Sequence, residues 1–292
     1  MARLVNPGDS SACAESARVL QQRQRQVYFV IVEVVVVESR AAGAAIVGGA
    51  ITALLASKPT AVLGLATGST PLPVYDDLVE RYSRGEVSFA AARGFALDEY
   101  VGLPVDFPES YRAVLGRELG DRVDFAPGAI ESPNGWAEDI PAACAEYEQA
   151  IRAAGGIDLQ LLGVGSDGHI GFNEPTSSLA SLTRVKTLTL QTRTDNARFF
   201  GGDIDAVPTH VLTQGVGTIR RAAHLVLLAW GSQKAEAVKA TIEGPVTSMV
   251  PSSALQLHPH ATVVVDEAAA ANLELIDYYR DVYEGKPHWQ GI

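Results

Sequence analysis

Short apolar runs separated by helical patterns constrain what this chain can fold into more than any other feature. The runs are residues 30–37, Ala61–Leu65 (AVLGL), Gly94–Leu97 (GFAL), Ile157–Val164 (IDLQLLGV), His224–Trp230 (HLVLLAW) and Ala261–Val265 (ATVVV). Most are near-continuous in aliphatic or β-branched residues, the pattern of strands buried on both faces. Helical patterns lie between them: Ser39–Ser57, the stretch after Pro71, a helix starting near Glu109, Ile140–Ala154, the start of Thr209–Arg221, the stretch after GSQK at 231–234, and Glu267–Tyr283. Strand and helix in alternation predict an α/β fold, with a predominantly parallel sheet and helices on both faces.

At 292 residues the chain suits one large α/β domain. No repeat and no Pro-, Gly- or Ser-rich linker divides it, so residues 27–292 are expected to form a single domain. Residues 1–26 are rich in glutamine and arginine without an apolar period, and are expected to be a poorly ordered N-terminal extension.

A net charge of −11 argues against nucleic acid as a partner, because such binders present a clustered basic face. Anionic small molecules remain open to it, since a helix N-terminus and a few cations suffice to bind phosphate. Cys13 and Cys144 cannot build a disulfide framework and have no metal-ligand spacing with the histidines; a reducing cytoplasm is expected. Val27–Val37 behind QQRQRQ resembles a signal peptide, yet Glu33 interrupts it and no cleavage site follows. Residues 41–57 fall short of the ~20 strongly apolar residues of a membrane span, so no membrane partner is expected.

The chemistry is densest in Leu161–Pro175, LLGVGSDGHIGFNEP. Gly163, Gly165 and Gly168 leave the backbone free to approach a ligand or to take positive φ. Asp167, His169 and Glu174 follow, an acid/base constellation at the carboxyl end of a strand, where open α/β sheets place their ligand crevice. A histidine alone is more often structural. Flanking glycines and two carboxylates single out His169, whereas His210, His224, His258, His260 and His288 have no such setting and read as structural or solvated.

Three further stretches carry candidates. Thr67, Gly68, Ser69 and Thr70 form a small-residue turn between strand and helix, an anion cradle or else an ordinary capped junction. Asp98 and Glu99 end the GFAL strand, either as a solvated loop or with Asp98 facing the crevice as a base. Beyond Pro175, a Ser- and Thr-rich excursion carries Arg184, Lys186, Arg193 and Arg198, cations suited to an anion. Lys234 sits in the first turn of a predicted helix, where a cation is unfavourable unless an anion lies between it and the dipole.

The pieces LGLATGSTP, LDEYVGLP, ESY, GVGSDGHIGFNEP, SSLAS, GVGT, GSQKA and LQLHP together resemble the glucosamine-6-phosphate deaminase family over roughly residues 30 to 273. The resemblance implies a Rossmann-like fold with a mobile lid, about residues 176–207. It implies conversion of D-glucosamine 6-phosphate and water into D-fructose 6-phosphate and ammonia, with no metal or organic cofactor. Asp98 would carry a proton from C2 towards C1, and His169 would open the pyranose ring, held by Asp167 and Glu174. Ser69, Thr70 and the Gly68 backbone would take the phosphate, with Arg198 and Lys234. Ring opening shuttles a proton between oxygens near neutrality, which suits an imidazole of unperturbed pKa ~6.5.

Regulated members of the family bind N-acetylglucosamine 6-phosphate between subunits of a hexamer, and the matching positions here are Ser177, Arg184 and Lys186. The resemblance thus implies a possible allosteric site and a homo-oligomer. Leu182 stands where the family often has a charge, and the chain extends about 25 to 30 residues before the family pattern; both features bear on that control. The nearest rival is a 6-phosphogluconolactonase, which hydrolyses a lactone and needs no base at C2; Asp98 and Phe172–Pro175 speak against it. A non-catalytic sugar-phosphate sensor would want a DNA-binding module or a basic face.

Overall fold

The computed structural model describes residues 32–104, 106–287 and 290–292; the expectation for residues 1–26, Cys13 and His288 lie outside the described residues. Its strands in chain order are β1 (Val32–Val37), β2 (Val62–Leu65), β3 (Arg93–Ala96), β4 (Asp98–Tyr100), β5 (Ile130–Glu131), β6 (Leu159–Gly163), β7 (Arg184–Thr187), β8 (His210–Thr213), β9 (His224–Ala229) and β10 (Ala261–Asp266). The helices are α1 (Arg40–Ser57), α2 (Leu72–Ser83), α3 (Tyr111–Glu118), α4 (Ile140–Ala153), α5 (Leu190–Asn196), α6 (Val216–Ile219), α7 (Ala235–Ile242) and α8 (Ile276–Glu284).

A seven-stranded sheet runs in the order β1-β10-β9-β6-β2-β3-β5 with every neighbouring pair parallel, as the apolar runs predict. Consecutive residues of its strands feed opposite cores, because side chains alternate across a pleat. Val34, Val62, Leu225, Leu227, Val263 and Val265 pack on one side with Ile151 of α4 and Val238 of α7. Val35, Leu63, Val226, Leu228 and Val264 pack on the other with Val47 of α1, Leu78 of α2 and Leu115 of α3. Helix α1 is apolar and long enough to cross a bilayer by length and composition, but Val47, Ile51 and Leu55 are buried in this second core.

From β2 the chain moves outward through β3 and β5, then crosses back to β6 on the other side of β2. The strand order therefore reverses between β2 and β6, the position where open sheets form a ligand crevice at the strands' carboxyl ends.

The excursion after Pro175 holds β7, α5 and a 3-10 turn at Ala197–Phe200. Two expectations are corrected. The start of Thr209–Arg221 is not helical; His210–Thr213 is the central strand of a second, antiparallel sheet of order β4-β8-β7, and only Val216–Ile219 is α-helical. Its β-branched HVLT run finds backbone partners on both flanks, which outweighs a weak helical pattern. Glu267–Tyr283 is helical only from Ile276. The Asp266 carboxylate takes the N–H of Ala269 in a turn, and the Glu243 carboxylate takes those of Glu274 and Leu275, so tertiary capping sets the late start.

Candidate active site

A cavity of about 700 Å³ opens at the β2/β6 switch point, and the segments flanking it line it: Gly68, Ser69 and Thr70 after β2, Gly163 at the end of β6, and Gly165 and His169 after it. Asp98, Arg198 and Lys234 complete the predicted set within the same cavity. Asp167 and Glu174 reach it through His169. Ser177, Arg184 and Lys186 are not among its lining residues.

The cradle follows from its local chemistry. Gly68 takes φ +91°, a conformation that side chains disfavour, and the chain then enters α2 behind Pro71. No side chain caps that helix, and Gly68, Ser69, Thr70 and Leu72 line the cavity at its N-terminal end. Tyr75 donates to the Ala66 carbonyl at 2.7 Å and Trp230 Nε1 donates to the Thr70 carbonyl at 3.0 Å, which pins both sides of the turn. Lys234 is the residue before α7, at the end of the 3-10 turn Ser232–Lys234. Burial lowers the proton affinity of its ammonium, offset in part by Asp167. A phosphate would relieve that burial cost.

The acid/base group is a tight turn. The His169 N–H donates to Asp167 Oδ1 at 3.1 Å, and Nδ1 faces the same oxygen at 2.7 Å. Glu174 Oε2 lies 3.5 Å from Nδ1, and the Thr192 hydroxyl donates to Glu174 Oε1 at 3.3 Å. Burial raises the Glu174 carboxyl above its ordinary range. Burial pushes Asp167 upward too, but the charge and hydrogen bonds of His169, with a bond from Glu174, bring it below its ordinary value. The two carboxylates are thereby split: Asp167 is the anion that orients the ring, and Glu174 is closer to sharing a proton. Ligand atoms of the three lie within 4.8 Å of one another, a set able to hold a divalent ion. The short Nδ1–Oδ1 contact already commits the imidazole to a hydrogen bond suited to proton transfer.

Asp98 arrives from the second sheet. Leu97 alone separates β3 from β4, and the Leu97 N–H donates to the Leu65 carbonyl at 2.8 Å, so Asp98 emerges beside the cradle strand. It is 5% exposed, and burial first, then the Glu99 charge, raises its carboxyl well above the ordinary range. The solvated-loop alternative for Asp98 and Glu99 does not hold.

Several cavity residues escape sequence reasoning. Tyr111, Thr192 and Asn196 line the space; the Tyr111 ring lies 6.1 Å from that of Phe172, and Asn196 donates to the Tyr100 hydroxyl at 3.0 Å. Only long-range packing reveals them. Of the other described histidines, His224 stacks on His260 at 3.6 Å and bonds Thr262, and His258 holds the Ala222 carbonyl; these are structural. His210 is exposed beside Thr209.

Ser177 is buried with its hydroxyl unpartnered, and Arg184 is half-buried and donates to Asn173 Oδ1 at 2.8 Å. Burial holds the guanidinium below its usual proton affinity.

Comparison with known proteins places this arrangement. The family described as glucosamine-6-phosphate isomerases/6-phosphogluconolactonase matches residues 38–265. A glucosamine-6-phosphate deaminase of Mycolicibacterium smegmatis is 66% identical over 243 residues, covering 83% of this chain and 93% of the relative. One of Beutenbergia cavernae is 64% identical over 261 residues, 89% of this chain and 100% of the relative. A solved glucosamine-6-phosphate deaminase described as monomeric superposes with a TM-score of 0.80 at 41% identity, over 82% of this chain and 100% of that one. A 6-phosphogluconolactonase from Trypanosoma cruzi shares the fold, with a TM-score of 0.67 at 21% identity over 84% of this chain and 98% of that one. With its fold, its cavity and this match over most of its length, the chain belongs to the glucosamine-6-phosphate isomerase/6-phosphogluconolactonase family.

Proposed function

We propose that this enzyme converts D-glucosamine 6-phosphate and water into D-fructose 6-phosphate and ammonia. The observation that carries the reading is a buried carboxylate, Asp98, sharing one cavity with the His169 turn and the Ser69–Thr70 cradle. A lactone hydrolase needs no base at C2, whereas an aldose–ketose isomerisation does. The high identity to named deaminases supports the same choice.

The residues divide the work. Ser69, Thr70, the Gly68 backbone, Arg198 and Lys234 hold the phosphate at one end of the cavity. His169 moves the proton of the anomeric hydroxyl to the ring oxygen, which opens the pyranose to an aldehyde; Asp167 fixes the imidazole and Glu174 shares its charge. Asp98 takes the C2 proton to give an enolamine and returns a proton to C1, leaving an imine at C2. Water adds to that imine and ammonia departs, giving the ketose. No step calls on a cofactor or metal.

Residues 176–207 serve as the lid in this reading, since Thr192, Asn196 and Arg198 of that segment line the cavity. Control by N-acetylglucosamine 6-phosphate at Ser177, Arg184 and Lys186 belongs to it as well. Supporting that part are the unpartnered Ser177 hydroxyl and the half-buried Arg184, which has no carboxylate partner among the described residues. Assembly into a homo-oligomer is the arrangement under which such control operates. The buried free thiol of Cys144 suits a cytoplasmic location.

The test is ammonia and fructose 6-phosphate measured together from glucosamine 6-phosphate, with and without N-acetylglucosamine 6-phosphate and with and without a chelator. Equimolar products, unchanged by the chelator, are expected. Turnover of 6-phosphogluconolactone with none of the amino sugar would overturn the assignment.

A further inference from the structure

Strand β4 carries two acids in succession, and only Asp98 lines the cavity. Alternation along the strand turns Glu99 the other way, where it is 1% exposed. A carboxylate so buried needs partners, and Glu99 has three backbone donors. Its Oε1 accepts the N–H of Tyr100 at 2.8 Å and of Tyr111 at 2.9 Å, while Oε2 accepts that of Arg112 at 2.8 Å. Tyr111 and Arg112 open α3, whose first N–H groups have no partner within the helix and form its positive end. Ser110 caps the next one by accepting from Ala113 at 3.2 Å.

The same helix end holds a wall of the cavity. The Tyr111 ring lies 4.6 Å from that of Tyr100 and 6.1 Å from that of Phe172, and all three line the substrate space. Phe172 in turn belongs to the turn that carries His169. One carboxylate thus joins the strand of Asp98 to the aromatic wall leading to His169. The groups facing this acid pair are Tyr100 on the strand, Tyr111 and Arg112 on α3, and Tyr147 on α4; of these Arg112 alone is cationic.

We propose that Glu99 is a positioning residue for the chemistry at Asp98, clamping β4 to the first turn of α3 and keeping a negative charge behind the base. This rests on the reading of Asp98 as the proton acceptor. The clamp keeps base and aromatic wall at a set spacing, on which near-attack geometry depends. Burial first and the Glu99 charge second make Asp98 hold a proton more tightly, so that it is a stronger base than an isolated carboxylate; burial raises the Glu99 carboxyl too, and its three backbone donors oppose that rise.

Glu99→Gln keeps the shape, loses the charge and can satisfy fewer of the three donors. With folding checked by circular dichroism and by binding of fructose 6-phosphate, KM is expected to stay within about twofold while kcat falls by about tenfold. The acid limb of kcat against pH moves to lower pH, a shift that a merely structural lesion would not produce. A folded Glu99→Gln whose acid limb coincides with the parent's overturns the proposal. Should that variant not fold, Glu99→Asp decides instead: the limb stays and kcat falls, and a parental kcat overturns the clamp. An active Asp98→Asn would sink the underlying reading rather than this one, so the two failures are told apart.

Discussion

The His169 imidazole occupies space that Gly165 leaves empty: a methyl group built on Gly165 would lie 2.6 Å from Nε2 and closer still to Nδ1 and Cε1. Gly165 and His169 are also tied by the Gly165 N–H, which donates to the His169 carbonyl at 2.9 Å. Gly165→Ala must therefore push the ring from Asp167 without touching the core. Because about 1 Å of misplacement costs roughly 100-fold, kcat should fall by that order while the melting temperature barely moves. Steady-state kinetics beside a thermal melt decide it, and a parental kcat would mean that the ring's position is unimportant.

Asp98→Asn removes the proposed proton acceptor and keeps the shape. Loss of a general base costs about 10²–10⁴-fold, so kcat should collapse while fructose 6-phosphate still binds by calorimetry. Retained deamination would exclude Asp98 from the role.

The same substitution carries a stability signature. Burial and Glu99 raise the folded carboxyl above its unfolded value. A group raised in this way lends stability that is complete below the unfolded pKa and is lost as pH rises through the folded one. Asp98→Asn should therefore melt at a higher temperature than the parent at pH 7–8, with the gap closing below the ordinary carboxylate value of ~3.9. Melting curves across that range would refute the buried-acid account if the gap did not change with pH.

Lys234→Ala takes away a half-buried cation at the start of α7. A charge-assisted hydrogen bond is worth about 1.5–3 kcal/mol, so KM should rise by about 10- to 100-fold with kcat little altered. Equal loss in kcat and KM terms would place the residue in the chemical step rather than in phosphate binding.

Glu148 on α4 tests the tie from that helix to the residue before β7 and to α6. Its Oε1 accepts from the Thr183 N–H at 2.9 Å, from the Thr183 hydroxyl at 2.7 Å and from the Thr218 hydroxyl, and Arg152 and Arg221 lie at 3.8 and 3.6 Å from Oε2. Glu148→Ala strands buried donors, which costs about 3 kcal/mol and lowers the melting temperature by roughly 6–12 °C. Differential scanning calorimetry that shows no loss would assign those donors to water.

Strand apolarity made the parallel sheet legible, because a strand buried on both faces leaves no polar alternation to read. The His169 turn was legible for a local reason: its glycines, acids and histidine fall within a few positions and interact with one another. β8 was not. Its partners β4 and β7 lie far away in the chain, and a four-residue strand has little pattern of its own. Glu99 went unread because its donors come from its own neighbour Tyr100 and from a helix start beyond two prolines.

The sequence by itself determined the alternation of elements, the glycine turns and the types of chemistry available, since these depend on local sterics and on side-chain identity. Only the tertiary structure decided which of them meet. Asp98 shares a cavity with His169 because β4 leaves the parallel sheet at Leu97, where the Gln214 N–H donates to the Leu97 carbonyl and the Gln214 amide donates to the Ala96 carbonyl 118 positions away. Such contacts draw their stability from burial and hydrogen bonding between distant segments. Local preference carries no record of them.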